Sequence, residues 1–159
     1  MKRVGHRRAR GQTLVEFAMV LPIIILLVMG TVDLGRAVFT YNTLAQSARS
    51  ASRLAIVNQN ITNVRNEAIA SAATLGLTSS NVDVCFKRAD STLTSCSSTS
   101  DNCPQSTRDI GCLAIVTTHM TYSPMTPVIS LIFSSFALSS TSVASIEYVC
   151  PEGPASTCP

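Results

Sequence analysis

The six cysteines carry the most definite chemistry in this sequence. Successive cysteines lie 11, 7, 9, 38 and 8 residues apart, and none of these spacings is a close C-x2-C pair of the kind that zinc sites use. We therefore predict disulfides, with no metal and no cofactor. We expect the last two cysteines to close the C-terminal tail and the other four to fasten a Ser/Thr-rich loop to its strands. The spacings do not choose among the possible pairings of Cys85, Cys96, Cys103, Cys112, Cys150 and Cys158.

Histidines and carboxylates form no recognisable catalytic set. The two histidines are His6, near the N-terminus, and His119, inside a predicted strand, where we expect a surface or packed side chain. Acidic residues are scattered without pairing. The sequence contains no glycine-rich phosphate loop, no G-x-S-x-G and no H-E-x-x-H. We predict no catalytic residue and no enzyme activity.

One carboxylate, Glu16, lies in the twenty-residue apolar stretch from Thr13 to Val32. As a helix this stretch is roughly 30 Å long, about the thickness of a bilayer core. It is longer than the apolar core of a secretory signal, and no small-x-small cleavage pattern follows it. The stretch is therefore expected to be a retained membrane anchor. Burying a glutamate in it is costly, so Glu16 either lies near the cytoplasmic face or has a specific role.

The distribution of charge predicts the orientation of this anchor. The chain of 159 residues has a formal net charge of +3, but five of its twelve basic residues lie in the first eleven positions, without an acid among them. The remaining seven basic and nine acidic residues sum to −2, which excludes a basic, nucleic-acid-binding body. By the positive-inside rule, the leader is cytoplasmic and the rest lies outside, where an oxidising compartment lets cysteines pair.

The segment around Glu16 resembles a known kind of processing site. A basic leader, then Gly11, then a glutamate five positions later are similar to the N-terminus of type IV prepilins. The longer stretch GQTLVEFAMVLPIIILLVMGTVDLGRAVF resembles the signature of the TadE-like family, pilin-like proteins of tight-adherence (Flp) pili, over residues 11–56. Its residues in this chain include Glu16, Phe17, Pro22, Gly30 and the block from Asp33 to Arg36.

The resemblance implies partners and roles. A prepilin-type membrane peptidase would cut between Gly11 and Gln12, and Glu16, with Phe17 beside it, would be used in assembly with other pilin-like subunits and the pilus machinery. An uncleaved anchor with an incidental glutamate is the alternative. Two features depart from the family: no basic residue directly precedes Glu147, and the cysteines are more numerous than is usual.

Beyond the membrane, apolar residues recur every three or four positions and predict that the helix continues as an amphipathic stalk to about Val57. That apolar face comprises Leu34, Ala37, Val38, Tyr41, Leu44, Ala45, Ala48, Ala51 and Ala55. Asp33 and Arg36 are spaced to pair on one helical face near the outer membrane interface. The small residues of positions 45–52 indicate either plain helix propensity or solvent exposure on the one hand, or close approach to a sheet or to another subunit's helix on the other, and both readings stay open.

The rest of the chain predicts an α+β head. Helical spacing from Ile61 to Leu75, with Asn60 or Thr62 as N-cap and Gly76 after the end, indicates a second short helix. Alternating patterns predict three antiparallel strands at 81–87, 112–122 and 136–149. The predicted organisation is a leader (1–11), a transmembrane helix (12–33), a stalk (34–57) and an extracytoplasmic head (58–159).

Two functions fit this organisation. The first is a minor subunit or assembly factor of a tight-adherence pilus, single-pass in the bacterial cytoplasmic membrane, whose bilayer, peptidase and pilin-like partners follow from the resemblance. The second is a membrane-tethered extracytoplasmic binding module that never enters a filament. Processing after Gly11 and loss of pili on changing Glu16 would favour the first.

Overall fold

The computed structural model describes residues 9–88, 96, 103, 111–126, 130 and 134–147. Helices and strands there follow the predicted order, and the α+β class, with one long helix, one short helix and a three-stranded antiparallel sheet, is confirmed. The elements are α1 (Ala9–Val57), α2 (Ile61–Ser71), 3-10 turns at Ala73–Leu75 and Ser79–Asn81, β1 (Val82–Arg88), β2 (Cys112–Tyr122) and β3 (Phe136–Ser145).

Helix α1 runs unbroken for 49 residues and ends at Val57, where the sequence predicts the end of the stalk. Helix α2 begins after Asn60, whose side-chain oxygen accepts hydrogen bonds from the backbone N–H groups of Thr62 and Asn63. It ends at Ser71, earlier than predicted, because the chain tightens into a 3-10 turn before Gly76. Gly76 has a φ of 63°, a left-handed conformation in which glycine avoids the strain of a side chain.

The sheet is antiparallel with the strand order β1-β2-β3. Val82 of β1 lies opposite Thr118 of β2, and Leu113 of β2 lies opposite Ser145 of β3. Strand β3 ends at Ser145, so the predicted strand is too long at Ile146 and Glu147, which are outside the strand. Residues 148 and 149, also assigned to that strand from the sequence, lie outside the described residues.

The chain divides into two compact units. Unit 1 is Met1–Ala37 with Ser123–Ser135, and unit 2 is Val38–Tyr122 with Phe136–Pro159. Unit 1 contains the apolar part of α1 and the segment that follows β2. Unit 2 contains the C-terminal part of α1 together with α2 and the sheet. Positions 38–57 of the segment expected to form a stalk therefore share a compact unit with the sheet, whereas positions 34–37 belong to unit 1.

The core of unit 2 forms where α1 meets α2 and the sheet. Ser47, Ala48 and Ala51 of α1 are fully buried, and Ser52 is nearly so. Ser47 Oγ donates to the carbonyl oxygen of Ala68 on α2 at 2.7 Å. Small side chains let backbones approach closely, so of the two readings of this segment, close approach is the one that describes these buried residues. The buried hydrophobic partners include Val64, Ala68, Val82, Phe86, Ala114, Val116 and Ile146.

The buried face of α1 differs from the predicted one at its N-terminal end. The sequence predicts Leu34, Val38 and Tyr41 on the packed face, yet they are 65%, 50% and 47% exposed. In unit 2 the buried stripe instead starts at Thr40 and continues through Leu44. Apart from Leu44, the fully buried residues of this stripe are small, as a close contact with α2 and the sheet requires.

Candidate functional site

The N-terminal part of α1 carries the apolar stretch predicted to be an anchor. Its large hydrophobic side chains are exposed throughout, from Leu14 at 70% and Met19 at 72% to Val32 at 58%. In the part of the chain that the structure describes, α1 is the one helix long and apolar enough to cross a membrane. A row of exposed aliphatic side chains is unfavourable in water and suits hydrocarbon. This apolar helix suggests membrane anchoring.

The proposed processing residues lie on the first turns of α1. Gln12 Nε2 donates to Glu16 Oε1 at 3.4 Å, so the two side chains meet across one helical turn. Glu16 and Phe17 are both exposed. A Cβ built on Gly11 would meet no atom within 4 Å, and the φ of Gly11 is not positive. The fold described around Gly11 therefore gives no steric reason for glycine at this position.

Asp33 lies within unit 1 and is only 6% exposed. Its Oδ1 accepts the N–H of Met125 at 3.2 Å, and its Oδ2 accepts the N–H of Thr126 at 3.0 Å and also the Thr126 hydroxyl. Arg36 Nη1 lies 3.8 Å from Oδ1, and the Arg36 side chain is about half exposed. Asp33 thus fastens the segment after β2 to α1, and we refer to this arrangement as the Asp33 clamp.

Sequence reasoning identified the Asp33–Arg36 spacing but missed the partners in the Asp33 clamp. Met125 and Thr126 lie 92 and 93 residues further along the chain, and helix periodicity gives no information on such distant contacts. In the sequence, Thr126 is marked only by the apolar run that follows it, and this does not point to Asp33. In the structure, the Thr126 carbonyl oxygen accepts the N–H of Ser130 at 2.9 Å.

The described cysteines form two disulfides in the C-terminal part of the chain. Cys85 of β1 pairs with Cys96, and Cys103 pairs with Cys112 at the start of β2. Both bonds join the polar loop between β1 and β2 to a flanking strand. Cys103 and Cys112 belong to the unit 2 core, and the N–H of Cys103 donates to the Phe86 carbonyl oxygen at 3.4 Å. The predicted pairing of Cys150 with Cys158 lies outside the described residues.

His119 lies in β2 near Asp83 of β1, with Nδ1 3.5 Å from Oδ2. Both side chains are about half exposed, and no pairing of this kind was predicted from sequence spacing. An imidazole beside a carboxylate resembles part of a catalytic set. In the described part of the chain, however, no hydrogen bond joins a hydroxyl or thiol to His119, so these residues provide no nucleophile for the pair. The arrangement is typical of a cross-strand surface pair.

Comparison with known protein families finds a match in the same N-terminal segment that carries the sequence resemblance. No curated protein and no solved structure matches the chain. Residues 11–53 match the model of the family described as TadE-like protein, a family of pilin-like proteins that are generally non-enzymatic. The matched residues include Gly11, Glu16 and the Asp33-to-Arg36 block, and they end among the small residues that pack in unit 2. Over these residues, which include most of its N-terminal hydrophobic helix, the chain is similar to TadE-like proteins.

Proposed function

We propose that this protein is a minor subunit or assembly factor of a tight-adherence pilus. The observation that carries the proposal is α1 itself. It is a 49-residue helix with a TadE-like match, it exposes its apolar side chains from Leu14 to Val32, and it bears one carboxylate, Glu16, near the start of that stretch. An apolar helix with exposed side chains of this kind is suited to lateral packing with other helices in a membrane or a filament.

In this proposal a prepilin-type peptidase cuts between Gly11 and Gln12. Cleavage creates an α-amino group on Gln12, one helical turn from Glu16. The present contact between their side chains, at 3.4 Å, supports the idea that a cation at position 12 can reach the carboxylate. Pairing the two charges, within one subunit or between neighbours, lowers the cost of burying both in a helix bundle. Phe17 then lies beside the paired charges as an apolar contact.

The proposed topology places the leader (1–11) in the cytoplasm, the anchor (12–33) in the bilayer, and the stalk (34–57) and head (58–159) outside. The basic leader supports this orientation. The two disulfides support an oxidising compartment for the head. The partners are the bilayer, the peptidase, and other pilin-like subunits with their assembly machinery.

Intact-mass spectrometry of the chain, recovered from cells with and without the peptidase, tests the processing step. We expect a chain that begins at Gln12 when the peptidase is present. Gly11→Val should block cleavage, whereas Gln12→Ala, its neighbour in sequence, should be cleaved normally. A chain that still begins at Met1 beside an active peptidase would remove the processing step.

The role of Glu16 is tested by comparing membrane and sheared-fibre fractions from cells that carry Glu16→Gln or Glu16→Asp. We expect Glu16→Gln to abolish recovery of the protein in fibres, or recovery of fibres altogether, while the charge-conserving Glu16→Asp retains part of it. Normal piliation with Glu16→Gln, together with an unprocessed chain, would instead favour the membrane-tethered binding module.

A further inference from the structure

The outer edge of β3 has the properties of a pairing edge. Strand β3 pairs with β2 on one side, over an unbroken register from Phe136 opposite Tyr122 to Ser145 opposite Leu113. Within the described ranges, no strand pairs with its other side. Its ten residues, FALSSTSVAS, include no charged residue, no proline and no glycine. Proteins that keep a sheet edge from pairing use such residues or a bulge, and β3 has none of them.

The direction of the unpaired backbone groups follows from one hydrogen bond. The N–H of Ile146 donates to the carbonyl oxygen of Cys112, so these two residues form a hydrogen-bonded pair just past the end of β3. Hydrogen-bonded pairs alternate along an antiparallel ladder, so the even-numbered residues of β3 bond to β2. The odd-numbered residues, among them Ser139, Thr141 and Val143, direct their N–H and C=O groups to the outer edge.

A polar groove within unit 2 lies between α1 and the middle of β3. It has a volume of about 670 Å³, and Ser140 and Thr141 of β3 form one side of it. The other side includes Asn42, Gln46, Arg49 and Arg53 of α1, which recur every three or four residues and so form one row on the helix. Of these two residues, Thr141 is one whose backbone N–H and C=O groups are directed to the outer edge, so the groove and the edge share this residue.

The row on α1 gives the groove a positive charge. Arg49 and Arg53 are exposed, and among the described side chains neither guanidinium makes an ion pair. Two arginines one turn apart are separated by about 6 Å along the helix. Alternate residues of an extended strand are separated by about 6.6 Å. Carboxylates on one face of an added strand would therefore match the spacing of the two guanidinium groups.

We propose that this groove binds an extended acidic segment of a partner polypeptide, which adds a fourth strand to β3. Its backbone pairs with the outward N–H and C=O groups of Ser139, Thr141 and Val143. Its acidic side chains, at alternate positions, face Arg49 and Arg53. Strand addition supplies affinity through main-chain hydrogen bonds, and the arginines supply the preference for acidic sequences. The site belongs entirely to unit 2, and the proposal does not depend on processing or on filament assembly.

The test uses the full chain in nanodiscs of zwitterionic lipid and three fluorescent peptides of about eleven residues. The peptides alternate threonine with glutamate, glutamine or lysine, and binding is followed by anisotropy at low salt. We expect the glutamate peptide to bind at least about tenfold more tightly than the glutamine peptide, and the lysine peptide to bind most weakly. The double variant Arg49→Glu/Arg53→Glu should reverse the order of the glutamate and lysine peptides. Arg88→Glu, at the end of β1, is the matched control and should leave the order unchanged.

The strand-addition step has its own test. Ser139→Pro removes an outward N–H without removing a ladder bond to β2, and it should weaken the glutamate peptide about tenfold or more, whereas Ser139→Ala should not. A second test leaves the protein unchanged and modifies the glutamate peptide. Two versions are made, one N-methylated at the odd-numbered residues and the other at the even-numbered residues. The peptide whose methyl groups point away from β3 should bind normally, and the peptide whose methyl groups block pairing with β3 should bind at least about tenfold more weakly.

Three results would overturn the proposal. One is equal binding of the glutamate and lysine peptides by the wild-type chain. Another is tight binding of both N-methylated peptides, which would show that the backbone of the peptide does not pair. The third is binding of polyphosphate or a sulfated polysaccharide through Arg49 and Arg53 while the glutamate peptide does not bind, which would assign the groove to another class of anion.

Discussion

The Asp33 clamp gives a prediction whose size can be worked from its contacts. Asp33→Asn keeps the shape of the side chain but replaces one acceptor oxygen with an amide NH2 group. The two carboxylate oxygens accept three hydrogen bonds from Met125 and Thr126. Hydrogen bonds to charged groups contribute about 1.5–3 kcal/mol each. An asparagine loses at least one of these hydrogen bonds, and the bonds that remain are made to a neutral group instead of a charged one. Together these losses should destabilise the clamp by about 2–4 kcal/mol.

Amide hydrogen exchange of the full chain in micelles measures this loss directly. The Met125 side chain is 75% exposed, so burial of that side chain does not protect its N–H, and we attribute the protection to Asp33. A loss of 2–4 kcal/mol corresponds to exchange about 30- to 1,000-fold faster at Met125 and Thr126. Amides of unit 2, such as those of β2, should be unaffected because they belong to the other compact unit.

Arg36→Gln is the matched control for this experiment. Its guanidinium lies 3.8 Å from Asp33 and is about half exposed, so the pair is worth less than about 1 kcal/mol. Exchange at Met125 and Thr126 should therefore rise less than about fivefold. If Asp33→Asn changes exchange at these two amides no more than Arg36→Gln does, the reasoning that the carboxylate holds this segment is wrong.

Three further changes test the packing of unit 2. Replacing Cys103 and Cys112 by serine should cost about 3 kcal/mol through loop entropy plus the loss of two buried core side chains. Replacing Cys85 and Cys96 should cost less beyond the entropic part, because only Cys85 of that pair is buried and it lies outside the core cluster; urea denaturation with a proteolysis readout ranks the two. Ala51→Leu should destabilise the unit by about 1–3 kcal/mol or more because Ala51 has no exposed surface, while Gln46→Leu, on the exposed face, should change the unfolding midpoint little. Asn60→Ala removes the acceptor at the start of α2 and should cost about 1 kcal/mol, and an unchanged midpoint would contradict the capping role.

Periodicity predicted the helices and strands well because their signals are local. The end of α1 at Val57 and the bounds of β2 follow directly from spacing and alternation. The end of β3 does not, because the alternating pattern continues past Ser145 although the ladder stops beside Cys112. What stops a strand is the length of its partner, and that information lies elsewhere in the chain.

The packed face of α1 and the Asp33 clamp show a second limit of the sequence. Hydrophobicity ranks Leu34 and Tyr41 above Ser47 as candidates for burial, yet Ser47 is the residue with no exposed surface. A serine can be buried because the carbonyl oxygen of Ala68 accepts its hydroxyl proton, and that acceptor lies on another helix. Likewise, Asp33 was paired with its near neighbour because the sequence does not reveal that a distant segment carries its main donors.

The burial of Ser47, Ala48 and Ala51 also bears on modularity. A chimaera that joins a foreign head to this protein at Asn58 would keep a helix face shaped for a sheet that is no longer there, and it would give the new head no helix to close its core. Unit 2 begins at Val38, so an exchange should cross over there and carry positions 38–57 with the head. Because the TadE-like match runs to residue 53, such a junction cuts through the matched segment itself. A head therefore cannot be exchanged as a compact unit without also exchanging the C-terminal part of the matched segment.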